Sequence, residues 1–521
     1  MRRELTKYLR LPTMSRMETG AVLSRRPAVV GGLLLILMLL TGLGWAVSSP
    51  VESSPDDNYH LGSIWCPRPA GESCQTSVVD GDPVVRVPIA VADESMRCYV
   101  LQSNKSAGCA LGYNDSHMVW SKRFDNGAYP IGYYHFHHLF VGKDVQTSVL
   151  VMRGVNVLIA VTLLGTIGFC APRQLRRPFI GAIVASWVPM GVYFIASNNP
   201  SSWAVSGLMA YSAATFMAPQ QKGSHRIALV ICAVIGAVMC LTSRYDAAFF
   251  LLVVGLALLF AVPWKRGGWI GLTALAGVAL LGVGTFMASS QVSKVAYFLR
   301  VFEASDPAKS ADKQPFFEKL LVGLETAPKY LGGFWGHTWT PGWHDVPLGA
   351  RAPYVLTIMA AGAFVAIALR RGGWRKWTSM AIIVGAMVLL PALFYANGAM
   401  EYIELYQARY IFPLLAPTFF LMLAVDQDEG AWFTVPQAVW VTVFISLCQT
   451  ITLHTLLLRF VQGIHERWEL NLNKHIEWWW SVPVSPMMVW FLTTCFATAA
   501  LGTAIAMLTR TAEKHEATQH S

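Results

Sequence analysis

The segment Ser53-Ser54-Pro55-Asp56-Asp57-Asn58-Tyr59-His60 sets two adjacent carboxylates close to a histidine. Such a pair suits general-base chemistry. One carboxylate takes a proton from an attacking hydroxyl, and its neighbour or the histidine orients it or shares a divalent cation (Mg, Mn or Ca). Asp56, Asp57 and His60 are therefore the candidate catalytic residues, and the candidate metal ligands if a metal is used. The spacing leaves open which aspartate is the base. It also fits a polar turn with an Asp helix cap.

Two arginines enter apolar runs from their polar ends: Arg244 in Ser243-Arg244-Tyr245-Asp246, and Arg409 in Glu401-Tyr402-Ile403-Glu404-Leu405-Tyr406-Gln407-Ala408-Arg409-Tyr410. An arginine at membrane depth is costly unless it is paired or faces a cavity, and its planar fork suits phosphate. Arg244, Arg409 and Tyr410 are the candidate phosphate-binding residues, with Tyr245, Asp246, Glu401, Glu404 and Gln407 as substrate contacts beside them. Snorkelling, or a local Arg244–Asp246 pair, is the structural alternative. In the stretch from Phe334 to Asp345, Trp335 and Trp343 offer faces for stacking on sugars and Asp345 a carboxylate for hydroxyls; an interfacial aromatic belt explains the same residues. Asn199, in the turn Asn198-Asn199-Pro200-Ser201, lines the same cavity in this reading.

The elements that must position these groups are membrane helices. Of 521 residues, 54% are hydrophobic and 13% charged, against about 25% charged in soluble domains. An ordinary soluble enzyme, a disordered chain and a disulfide mini-protein are excluded. A bilayer-crossing helix needs about 20 apolar residues. Twelve such runs are present, at 28–48, 148–170, 179–197, 203–218, 227–243, 247–263, 269–288, 352–370, 378–396, 409–425, 434–457 and 486–508. The expected fold is an all-α polytopic membrane protein with large external loops.

Lys and Arg concentrate in residues 1–27, in alternate short connections (Arg173, Arg176, Arg177; Lys222, Arg226; Lys265, Arg266; Arg370, Arg371, Arg375, Lys376) and in the tail 509–521. By the positive-inside rule both termini are cytoplasmic. The net charge of +10 is then an orientation signal and not a nucleic-acid footprint. The first run reads as an uncleaved anchor. The layout becomes a basic N-terminus (1–27), a first span (28–48), an external loop carrying the acidic motif (49–147), a bundle (148–288), a second external loop (289–351), and a second bundle (352–508) interrupted by external loop 458–485.

Cys66, Cys74, Cys98 and Cys109 fall in the first external loop, where two disulfides with three connectivities are expected. No phosphate-binding P-loop or dinucleotide fingerprint occurs, which argues against an ATPase. Apart from Arg153, the apolar runs carry no charge near their centres, which disfavours an ion-coupled transporter.

In order, the motifs resemble those of the bacterial membrane family catalogued as domain of unknown function 2142, within the GT-C type of glycosyltransferases. Pro55-Asp56-Asp57-Asn58-Tyr59-His60 is similar to its P-D-E-x-x-H element, with Asp57 where Glu is usual. Asn199-Pro200-Ser201 resembles its N-P-S turn and Arg244-Tyr245-Asp246 its R-x-D element. Trp335 to Asp345 resembles its tryptophan–glycine stretch, and Ala408-Arg409-Tyr410-Ile411-Phe412-Pro413 its G-R-Y-x-x-P element, with Ala for Gly. The resemblance implies a transferase in the bacterial cytoplasmic membrane with its site outside. Its donor would be a polyprenyl-phosphate sugar (arabinofuranose, mannose, galactose and rhamnose all fit) and its acceptor an envelope glycan, lipid or protein. Asp56 would be the base, Asp57 its competitor and His60 a support, with the arginines facing the donor phosphate and inversion at the anomeric carbon. The competing classes are a flippase or transporter for lipid-linked saccharide and a non-catalytic scaffold for envelope assembly.

Overall fold

A computed structural model describes residues 27–509 except 93–97, 112–115, 265–267, 290–314, 336–337, 349–351, 399, 401, 427–431 and 466–468, and except the side chains of 27, 331, 352 and 404. Each of the twelve apolar runs is helical, because in a bilayer only a helix satisfies every backbone group locally. The long helices are α1 (Pro27–Ala46), followed by a short α2 (Asp57–Trp65), strands β1 (Thr76–Val79), β2 (Asp82–Pro88) and β3 (Met118–Ser121), and a short α3 (Gly132–His138). Then come α4 (Val145–Cys170), α5 (Arg173–Ala185), α6 (Pro189–Ile195), α7 (Ser201–Met217), α8 (Gly223–Ser243), α9 (Tyr245–Ala261) and α10 (Trp269–Met287). After α11 (Phe316–Glu325) and α12 (Ala327–Gly333) follow α13 (Ala352–Ala368), α14 (Trp374–Ala396), α15 (Leu415–Ala424), α16 (Val435–Val461) and α17 (Pro486–Ala506).

Seven of these, α1, α4, α8, α10, α14, α16 and α17, are long and apolar enough to cross a membrane. The run at 179–197 is not one straight helix: α5 and α6 meet at 94°, and count as an eighth span only if taken together. The bend has a local cause. Val188 precedes Pro189, and the proline ring drives its predecessor out of the α region, here to φ −102° and ψ 152°. The run at 409–425 likewise begins as two 3₁₀ turns and becomes α-helical only at Leu415, where Pro413 has disturbed the ladder. The short run at 203–218 is α7, buried on nearly every face, as expected of a helix apolar all round.

α7 and α8 cross closely at Gly207 and Gly236. A Cβ on Gly236 would lie 2.5 Å from the Gly207 carbonyl oxygen and 2.7 Å from the Tyr211 amide nitrogen, both rigid backbone. Small residues allow membrane helices this proximity. A Gly236→Val protein is expected to lose about 1–3 kcal/mol, seen as a lower thermal midpoint in detergent. An unchanged midpoint would show that the crossing can open freely.

The connection between α1 and α4 is not mere loop. It contains an antiparallel sheet in the order β1-β2-β3, with Thr76 opposite Val85 and Val85 opposite Ser121. The β1–β2 turn is Asp80-Gly81, both at positive φ (53° and 85°), which is the two-residue hairpin chemistry of type I′. Two disulfides, Cys66–Cys74 and Cys98–Cys109, brace the same segment.

Two buried arginines tie the connections to the bundle. Arg153 of α4 donates to the carbonyls of Ala46 (3.0 Å), Ser49 (2.6 Å) and Pro50 (2.7 Å) and to Asn198 Oδ1 (2.8 Å). It thus satisfies carbonyls that the end of α1 leaves without partners. Arg459, at the end of α16, donates to the carbonyls of Tyr99 and Lys105 and to Asp345 Oδ2, each at 2.6 Å.

Candidate active site

Asp56 adopts left-handed backbone geometry (φ 66°, ψ 10°) immediately before α2, a conformation Asp tolerates better than most residues. This turn separates the two carboxylates. Asp57, fully buried at the first turn of α2, reaches back to accept from the Ser54 amide (3.1 Å) and the Ser54 hydroxyl. Asp56 makes no cap bond and its side chain stays 37% exposed. Between the two candidate bases, the open one is Asp56.

Two arginines pair with it, and a third joins them through shared aromatic rings. Arg409 donates to Asp56 Oδ2 (2.5 Å) through Nη2 and to the Pro55 carbonyl (2.9 Å) through Nη1. Asn199 donates to the same carbonyl at 3.0 Å, and its own Oδ1 accepts from the Ser201 amide (3.0 Å). Asn199 thus fixes the turn that carries Asp56. Arg123 approaches Asp56 Oδ1 at 3.7 Å and lies over the Tyr59 ring at 5.5 Å. Arg244 is gripped by Asp246 through two bonds (2.9 and 2.6 Å) and contacts Ser201 Oγ at 3.3 Å. The local pair expected as the structural alternative therefore exists, yet Arg244 also faces the rings of Tyr129 (5.7 Å) and Tyr410 (5.5 Å). Tyr410 lies closer still to Arg409, at 5.0 Å, so one ring brings together two arginines 165 residues apart in the chain.

His60 is buried behind this group. Its Nδ1 pairs with the Tyr134 hydroxyl at 2.9 Å, and its ring meets Tyr129 edge-on at 5.1 Å. Burial pushes its pKa down to about 3, overcoming the attraction of Asp56, so it is neutral at physiological pH. Burial also pushes Asp57 up, more than Arg153 lowers it. At Asp56 burial acts in the same upward sense but is outweighed by the charges of Arg409 and Arg123, and the carboxyl ends below its ordinary value.

The chain belongs to the DUF2142 family of predicted membrane proteins. The match covers residues 39–418, from the middle of α1 into α15, and takes in every residue of the cluster. No curated protein and no solved structure matches the chain significantly.

In this DUF2142 chain the motifs nearest the bundle thus converge: Asp56, Arg244, Arg409, Tyr410, Asp246 and Asn199. Tyr245 sits half-buried at the start of α9. The tryptophan stretch behaves differently. Trp343 Nε1 donates to the Glu52 carbonyl (2.7 Å), which anchors it beside the acidic motif, whereas Asp345 is buried and turned to Arg459. Trp335 is half-buried, and Gln407 Oε1 pairs with His344 Nε2 at 3.1 Å. Glu401 and the Glu404 side chain lie outside the described residues.

Asp56, Asp57 and His60 do not form a metal-ligand set. Asp56 pairs with Arg409, Asp57 with Ser54 and His60 Nδ1 with Tyr134, and among the described residues no group of three His, Cys, Asp or Glu side chains converges. Arg123, Tyr129 and Tyr134 were not singled out from the sequence. They lie far from the short motifs, and only the fold of the first connection brings them in.

Proposed function

We propose that this DUF2142 protein is a membrane glycosyltransferase of the GT-C kind. It moves a sugar from a polyprenyl-phosphate donor to an envelope glycan, lipid or protein, on the external face of the bacterial cytoplasmic membrane, with inversion. The carrying observation is a half-exposed, ionised carboxylate, Asp56, paired with Arg409 and Arg123, with Arg244 held beside Arg409 at the Tyr410 ring they share.

The arrangement fits a coupled reaction. In the free protein Arg409 holds Asp56 as a weak base. A donor phosphate arriving at Arg409 and Arg244 competes for the guanidinium, frees Asp56 and raises its basicity. Asp56 then accepts the acceptor-hydroxyl proton as that oxygen bonds to the anomeric carbon. The bond from the anomeric carbon to the phosphate oxygen breaks, and the leaving phosphate keeps the electron pair beside the arginine charge. A narrow apolar crevice of about 100 Å³ between α1, α4, α6 and α7 fits a lipid-borne donor; Phe412 on its wall follows closely on Arg409 and Tyr410. The full span count, expected at twelve, belongs to the same reading: the bent α5–α6 pair, α7, α9, α13 and α15 would complete the seven long helices.

The test places purified protein in liposomes with a labelled polyprenyl-phosphate pentose or hexose and an envelope glycan acceptor. Release of polyprenyl phosphate with label on the acceptor is expected, and Arg409→Ala should raise the donor KM at least about tenfold. Labelled lipid crossing the bilayer with no release would overturn the reading in favour of a flippase.

A further inference from the structure

A second polar cavity lies at the other end of the bundle. Its volume is about 620 Å³, and it is ringed by Arg173, Arg177 and Arg375, with Gln174, Gln220 and Asp426. α9 runs from the Asp56 cluster to its wall at Ala261, a distance of about 25 Å at 1.5 Å per residue. The 3₁₀ turns and α15 make the same journey from Arg409 to Ala424. The two sites are therefore on opposite faces.

Three features of this cavity point to an anion. Arginines from two segments about 200 residues apart share one space, and arginine is the side chain suited to bidentate phosphate binding. The first turn of α5, a helix of 13 residues with no side-chain cap at Pro172, supplies Arg173 and Gln174, so the positive end of its dipole lies on the rim. Among the described residues Asp426 is the one lining carboxylate, and it is partly committed, since its Oδ2 accepts from the Gly373 amide at 2.7 Å. Beside these polar groups, Leu175, Phe216, Val425 and Trp432 give an apolar wall.

We propose that this cavity binds a phosphate ester carrying an apolar or glycerol portion, independently of the chemistry at Asp56. Such a group comes either from an anionic phospholipid headgroup or from a soluble phosphate ester.

The experiment measures binding of three probes to the full chain in detergent: labelled dioleoyl-phosphatidylglycerol, dioleoyl-phosphatidylcholine and glycerol 3-phosphate. Each arginine near a phosphate contributes about fivefold, so R173Q/R177Q/R375Q is expected to weaken binding about 100-fold. Asp426→Asn removes the opposing charge while keeping an acceptor for Gly373. Asp426 is at φ 55°, which Asn also tolerates, and this variant is expected to bind about fivefold tighter. Phosphatidylglycerol showing this pattern identifies the lipid source, and glycerol 3-phosphate showing it identifies the soluble one. Two results overturn the proposal: neither anionic probe binding better than phosphatidylcholine, or Asp426→Asn failing to tighten binding. The second criterion decides even if the triple variant does not fold.

Discussion

An Asp56→Asn protein is expected to transfer sugar about 10²- to 10⁴-fold more slowly than the natural chain, the range a positioned general base contributes. The substitution leaves the backbone turn intact. Asn accepts the left-handed geometry at φ 66° as readily as Asp, and Arg409 retains the Pro55 carbonyl. Arg409, with its side chain only 2% exposed, does lose its carboxylate partner, so the thermal midpoint should fall as well and the rate is read on folded protein. Asp57→Asn should act on stability almost alone. Its carboxylate is committed to Ser54 in the interior, so stability should fall while transfer stays within about tenfold of normal. If transfer is lost only in the Asp57 variant, the assignment of the base is wrong.

The pH profile gives an independent reading of the same residue. Asp56 is held below its ordinary value despite burial, by Arg409 and Arg123. The acid limb of kcat/KM for the free protein should therefore lie below the usual Asp value of about 3.9. The stability that Asp56 contributes is complete above that value and is lost as pH falls through its lowered pKa. Asp57 behaves oppositely. Its raised pKa makes its contribution fullest at low pH, declining as pH rises through it. His60, neutral near pH 6, should add no inflection there.

Arg459→Leu is expected to destabilise the protein by about 3–5 kcal/mol, the cost of leaving a buried carboxylate without its partner. Asp345 is the carboxylate, with its side chain only 6% exposed, and the Tyr99 and Lys105 carbonyls lose a donor as well. The double variant Arg459→Leu/Asp345→Leu should lose less than the sum of the single ones, by about 1–3 kcal/mol, in denaturant unfolding followed in detergent. Strict additivity would mean that Asp345 does its work elsewhere, as in the sugar-binding role expected from its place in the tryptophan stretch.

The contrast between these residues shows what the chain discloses before folding. The apolar runs were legible because a bilayer leaves the backbone few alternatives, and the motifs at their ends converged because Arg244 and Arg409 each open a helix on the face that carries Asp56. The roles of Asp56 and Asp57 were not legible. Identical side chains in adjacent positions differ only through one left-handed turn and the reach of Ser54. Pairs such as Asp345–Arg459 depend on contacts 114 residues apart, which no local spacing encodes. The hairpin at Asp80-Gly81 carried a recognisable turn signal, obscured by its place in a segment read only for disulfides and acids. The bend at Val188-Pro189 was likewise written in the sequence, but hydropathy alone passes over a proline.

Arg244 is the whole connection between two helices: α8 ends at Ser243 and α9 begins at Tyr245. Its depth is therefore set by arithmetic, with no slack chain to absorb an error. One residue added to α8 would turn the guanidinium by about 100° and advance it by about 1.5 Å, away from Tyr129, Tyr410 and Ser201 together. Length changes that a long surface connection would tolerate are not available here, and any viable rearrangement of this site has to proceed by exchanging side chains at fixed helix length.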